Sequence, residues 1–238
     1  MFYLVNLIIF CFLNNVYYYL LPKLLKYNNN FNNLTYQKQK YVVKNILKSI
    51  NLLILIFPSF YLLKCLYYGY KLDNYYIKNF ASFYVSNDIL GLIKIKDLPF
   101  STLFHHLMTT LLLFVNYTID YENLENTSLA NLLIIYTCFS CYSFTVNMYL
   151  GTRFLIFKKE DEIILTKNQV LFNEFVEYLR ISSFYIYFIC IIINWSYQIL
   201  NIIYYPITVS RVLYIIALSP IINDDIVLLT WLKYKKIN

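Results

Sequence analysis

"STLFHHLMTTLLLFVNY", residues 101–117, decides how this chain is read. Both histidines of the protein stand here side by side, His105 and His106, in a run of Leu, Phe, Met and Val. About 20 mostly apolar residues are enough to cross a bilayer as a helix. An ionisable ring inside such a run is costly unless it faces a partner or a cavity. The stretch therefore predicts a membrane helix with one polar face turned toward other protein.

The surrounding sequence agrees. Hydrophobic residues make up 60% of the 238 positions and charged ones 14%, where a soluble domain carries about 25% charged residues. Apolar runs at 2–21, 49–69, 76–93, 99–118, 129–150, 178–199 and 206–232 predict an all-α membrane protein, a bundle of about seven transmembrane helices. The first run lacks the basic flank and small-residue cleavage site of a secretory signal, so it reads as a helix that stays. Pro220 and "INDD" interrupt the last run, which predicts either a kinked helix or a span followed by an interfacial segment. The five cysteines lie in apolar stretches, and the C-x-x-C of Cys138 and Cys141 reads as small packing residues rather than a metal or redox pair.

The net charge of +7 does not point to nucleic acid. Basic residues gather in short segments between the apolar runs, the pattern of the positive-inside rule. Lys23, Lys26, Lys38, Lys40, Lys44 and Lys48 place the first loop in the cytosol. Lys94 and Lys96, then Arg153, Lys158, Lys159 and Lys167, then Lys233, Lys235 and Lys236, fall on the same side. The loop "DYENLENTS" has three acids and no base and falls on the other, which makes Asn126 a candidate lumenal glycosylation site. The N-terminus is then outside and the C-terminus cytosolic. Lys235 and Lys236 stand four and three positions from the end, the spacing of a dilysine retrieval signal read by a coat receptor. The alternative is plain topogenic charge.

On a helix, His105, Thr109 and Asn116 share one face, with His106 and Thr110 about a quarter-turn round. The preceding run carries Asp88, on a face with Ala81, Tyr84 and Gly91. In a hairpin turned at "KIKDLP", Asp88 and His105 both lie about 9 Å from the cytosolic end, at a rise of about 1.5 Å per residue. A carboxylate at the depth of two imidazoles predicts an interaction across the helix pair: either an oriented catalytic base or nucleophile, or a buried bond that locks two helices. Zinc is not expected, because adjacent histidines diverge by about 100° on a helix and no further ligands accompany them. Glu174, Glu177 and Arg180 read as a helix-surface ion pair. Arg211, Asp224 and Asp225 either line a cavity or mark where the last helix leaves the membrane.

"ASFYVSNDILGLI" (81–93) followed by "FSTLFHHLMTTLLLFVNY" (100–117) resembles the TLC domain, the membrane module shared by TRAM, Lag-type ceramide synthases and CLN-type proteins. An intramembrane Asp precedes a His-His pair on the next helix, and H-H-x-x-T-x-x-L is met by His105, His106, Thr109 and Leu112. The resemblance covers residues 38–234. It leaves 1–37 as an extra N-terminal helix and basic loop, and 235–238 as the cytosolic tail. It implies a six-helix TLC core plus one helix, in the endoplasmic reticulum. The His pair and Asp88 would be candidate catalytic residues, facing a lipid cavity lined by Tyr84, Thr109 and Asn116. Ceramide synthases use this pair for acyl transfer from acyl-CoA to a sphingoid base. They also carry an H-D-x-x-D stretch on the next helix, where this chain has "IIYTCFSCYSF", so it is more similar to the short TLC-domain-containing proteins. The expected function is to bind or handle lipid or acyl groups, with no cofactor and with membrane lipids as partners. The alternatives are an acyltransferase, with acyl-CoA as substrate, and a cargo or translocation accessory.

Overall fold

The computed structural model describes residues 2–123, 129–157, 165–206 and 208–234. Each of the seven apolar runs falls mainly in helix among the described residues. These are α1 (Phe2–Leu25), a short α2 (Asn29–Asn32), α3 (Tyr36–Tyr68), α4 (Asn74–Lys94), α5 (Phe100–Thr118), α6 (Leu129–Ser140), α7 (Phe144–Thr152), α8 (Lys167–Tyr204) and α9 (Val209–Lys233). The run at 129–150 is two helices, α6 and α7, joined by a 3-10 turn at Cys141–Ser143. The last run is one continuous helix with Pro220 inside it. Asn126, Lys235 and Lys236 lie outside the described residues.

Five segments are long and apolar enough to cross a membrane: Tyr3–Leu25, Tyr36–Tyr68, Leu129–Leu155, Lys167–Tyr204 and Val209–Lys233. The outer faces of these helices carry exposed Ile8, Phe12, Phe57, Phe60, Phe188, Ile193, Leu213 and Ile216. So many large apolar side chains left uncovered fit a lipid solvent rather than water. The chain is an all-α, multi-pass membrane protein.

Of the two helices missing from those five, α4 sits among other helices, while α5 keeps one exposed apolar face with Leu107, Leu111 and Phe114. Hydropathy measures how well a helix suits lipid, and α4 instead buries Ser82, Ser86, Asn87 and Asp88 against protein. It packs on α1, α3 and α5. Asn14 of α1 bonds Ser86 at 3.1 Å, and Asn51 of α3 donates to both Asn14 and Asn87 at 2.8 and 2.9 Å. Interhelical amide bonds of this kind join helices where lipid offers no competing partner. They tie α1 into the bundle.

The start of α3 corrects the sequence reading. Residues 36–48, assigned to a cytosolic loop, are the first turns of a 33-residue helix. Thr35 caps it, its side-chain oxygen accepting from the Lys38 N–H. Val42 to Ser49 are all buried, around the full circumference of the helix. Gly151 of α7 allows this: a Cβ there would come within 2.7 Å of Ile46 and 3.2 Å of the Val42 carbonyl. Polar residues enclosed by protein carry no lipid-facing stripe, so the apolar run seemed to begin only at residue 49. At the far end Gly69 closes α3 with φ 66°, a left-handed cap that a side chain resists.

Candidate functional site

Lys44 and Lys48 lie one turn apart on α3 and project into the bundle, both buried. Asp88 of α4, fully buried, meets three groups. Lys48 Nζ lies 2.5 Å from Oδ1, Thr109 of α5 donates to Oδ2 at 3.1 Å, and His106 Nδ1 is 3.1 Å from Oδ1. The predicted meeting of Asp88 with the histidine helix is thus present, and Lys48 is an added partner that counting loop charges had hidden. The signal was the i, i+4 pair of lysines at the head of "VVKNILKSINLLILI".

The two histidines are not equivalent. Their rings stand nearly perpendicular, with centroids 5.5 Å apart. Lys44 Nζ lies 3.0 Å from His106 Nε2. A lysine ammonium can only donate, so Nε2 accepts and the ring proton sits on Nδ1, toward Asp88. His106 Nε2 is therefore engaged, while its Nδ1 lies 3.1 Å from Asp88 Oδ1 without an aligned hydrogen bond among the described residues. His105 has no such clamp. Its Nε2 is 4.0 Å from Asp88 Oδ2 and its Nδ1 is 3.4 Å from Asp224 Oδ2, and Nδ1 has no aligned hydrogen bond among the described residues. Of the two imidazoles, His105 is the one with no lysine on its Nε2.

The α9 carboxylates, left open by the sequence, line this cavity. Asp224 accepts from Thr102 at 3.1 Å, and Tyr187 of α8 donates to Asp225 at 2.5 Å. The lining comes from α3, α4, α5, α8, α9 and the α6–α7 segment, and its free volume is about 60 Å³. That is room for about two waters. A second cavity of about 30 Å³ adjoins it, lined mostly by apolar groups together with Thr109 and Asn116. Tyr84 and Tyr136 line both. Tyr84, Thr109 and Asn116, expected as lipid-cavity residues, all line the apolar chamber, and Tyr84 lines the polar one as well. Asn116 accepts from the Tyr121 hydroxyl, and its amide nitrogen has no partner among the described residues.

One donor atom each from Asp88, His105 and His106 falls within 4.8 Å of the others, closer than helix divergence alone suggested. A dication at that point would lie against the Lys48 ammonium on Asp88 and the Lys44 ammonium on His106. The donor set fits a metal poorly for that reason.

The remaining polar residues do structural work. Arg180 bonds Glu177 at 2.8 Å and also the Leu232 carbonyl, so the expected surface pair also ties α8 to the end of α9. Arg153 lies 4.8 Å from the Phe154 ring and 5.8 Å from that of Trp231. Asn194, inside α8 and buried, accepts from Gln198 at 3.2 Å. Cys138 and Cys141 are free and buried, with the Cys141 thiol donating to the Thr137 carbonyl. Compared with known protein families, curated proteins and solved structures, the chain finds no match in any of the three.

Proposed function

We propose that this is a seven-span, TLC-type membrane protein that takes a lipid acyl group into its core. The observation that carries the reading is the pair of adjoining cavities: a polar one holding His105, and an apolar one continuing from it past Tyr84 and Tyr136. At about 60 and 30 Å³ the two suit the carbonyl end of an acyl group stopping at the imidazole, with only its first carbons on the apolar side. Supporting the seven-span count, the 95–99 turn lies at the same end as the start of α3. Lys48 and Asp88 meet near that end, as an antiparallel α3–α4 pair requires.

Acyl transfer is favoured, as a second reading, by the unbonded Nδ1 of His105. In it the imidazole attacks a thioester carbonyl, coenzyme A leaves as the thiol, and an amine then takes the acyl group. Simple binding needs only the two chambers.

The test is the lipid composition of cells expressing the wild type or the His105→Ala/His106→Ala variant. It is paired with mass spectrometry of lipid retained by each purified protein. A changed acyl profile is expected. Identical profiles and identical retained lipid at equal expression would sink the proposal. Residence in the endoplasmic reticulum, through Lys235 and Lys236, belongs to the same reading. Changing both to Ser is expected to release the protein to the Golgi, and unaltered distribution would remove the retrieval signal.

A further inference from the structure

A recess of about 530 Å³ lies at the far end of α3 from Lys44 and Lys48, between its last turns and the start of α4. That volume falls within the range of about 300–1,000 Å³ for small-molecule sites. Tyr36–Tyr68 is long and apolar enough to span a membrane, so its last turn and the segment 70–73 stand where lipid head groups meet water. Buried Leu62 and Cys65 and half-buried Leu72 give the recess an apolar lining. Tyr61 and Tyr76 line it as well, their rings set at 73° with centroids 5.3 Å apart. Tyrosines at the ends of spans commonly serve as interfacial anchors. These two differ in sharing their recess with a pair of opposite charges.

The charges are Lys71 and Asp73, two residues apart in the turn between α3 and α4, both exposed and both lining the recess. Among the described residues neither enters an ion pair within 4.0 Å. Asp73 also caps α4, its Oδ1 accepting from the Tyr76 N–H at 2.6 Å, which fixes the carboxylate beside the tyrosine that follows it. An ammonium, a carboxylate and two aromatic rings in an apolar hollow complement a zwitterion. The lysine suits a phosphate, and the rings with the carboxylate suit a quaternary ammonium.

We propose that this recess binds the phosphocholine head group of phosphatidylcholine from the adjoining leaflet, with Lys71 on the phosphate and Asp73, Tyr61 and Tyr76 around the trimethylammonium. The acyl chains stay in the bilayer, where α3 exposes Ile54, Phe57 and Phe60, so no tail has to enter the protein. The site lies apart from the histidine cavity and does not depend on the acyl-handling reading.

Full-length protein in a maltoside detergent would be titrated with dioctanoyl phosphatidylcholine, phosphatidylethanolamine and phosphatidylglycerol, which share tails and phosphate and differ in the head. Native mass spectrometry would count the bound lipid. Wild type is expected to bind the choline lipid about two- to thirtyfold tighter than the other two, the range for a cation against aromatic rings. The primary ammonium of the ethanolamine lipid keeps its water more strongly and gains less. Asp73→Asn removes the charge but can still cap α4, and it should lose part of the preference. Tyr61→Leu/Tyr76→Leu should lose the rest. Lys71→Gln should weaken all three lipids alike, because they share the phosphate. Equal binding of the three by wild type, or a preference for the ethanolamine or glycerol head, overturns the proposal. So does a choline preference that survives both Asp73→Asn and the double tyrosine variant, or binding that Lys71→Gln leaves unchanged. The wild-type comparison needs no variant, so misfolding of any one of them would not spare the proposal.

Discussion

Asp88 is the residue on which the core of the bundle balances. Fully buried, it is held by Lys48 and Thr109 and faces the Nδ1 of His106. Removing one partner of a buried ion pair strands the other, at a cost of roughly 3–5 kcal/mol, whereas replacing both with apolar groups is close to neutral. Asp88→Asn and Lys48→Met are therefore each expected to lower unfolding stability in detergent by that order. An Asp88→Leu/Lys48→Met double variant, apolar at both positions, should recover most of the loss. Additive losses would mean that the two do not interact. Gly91→Ala is expected to cost about 1–3 kcal/mol by overpacking against Lys44, read in the same unfolding assay. A neutral outcome would show that the Lys44 side chain gives way at its 3.0 Å approach.

At the scale of elements, the ends of α4 and α5 away from the histidines are joined by a polar clasp. Asp120 accepts from the Asn74 side chain at 2.7 Å, from Asn123 at 2.6 Å and from the Glu122 N–H at 3.1 Å. These bonds, that from Asn74 first, hold its carboxyl down to about 2. The ordinary value is about 3.9. A carboxyl lowered on folding stabilises the fold above the unfolded value, and that contribution fades as the pH falls through the folded one. The clasp should thus be at full strength from neutral pH down to about 4 and be lost toward about 2. Amide exchange at Tyr76 and Tyr121, normalised to the intrinsic rate at each pH, should show that step. Asp120→Ala should be loose throughout, and a step that persists in this variant would assign it to another group. Hydropathy could find these helices only in part. α4 reads poorly as a span because its polar face is spent on α1, α3 and α5. The opening of α3 was hidden because burial by protein on all sides needs no apolar stripe.

For the whole molecule, the seven-span and five-span readings differ at one place. If α4 and α5 cross, the turn at 95–99 is cytosolic; if they enter and return without crossing, it is on the opposite side, and every other loop keeps its side. A single cysteine at Lys96 on a cysteine-free background is expected to react with an impermeant maleimide only from the cytosolic face. Labelling from the opposite face alone would reduce the count to five. The sequence by itself determined the helical membrane class and the places of the seven apolar runs, because length and composition set what lipid accepts. It also determined that Asp88 and the histidines stand at one depth, because rise per residue is fixed by the helix. Only the tertiary structure decided that Lys44 and Lys48 belong to the core, that Asp224 faces His105 and that Asp225 takes the Tyr187 hydroxyl. It alone set Lys44 against His106 and Asp224 beside His105. Those facts depend on which helix stands beside which, and spacing along one chain does not encode the neighbours a side chain meets.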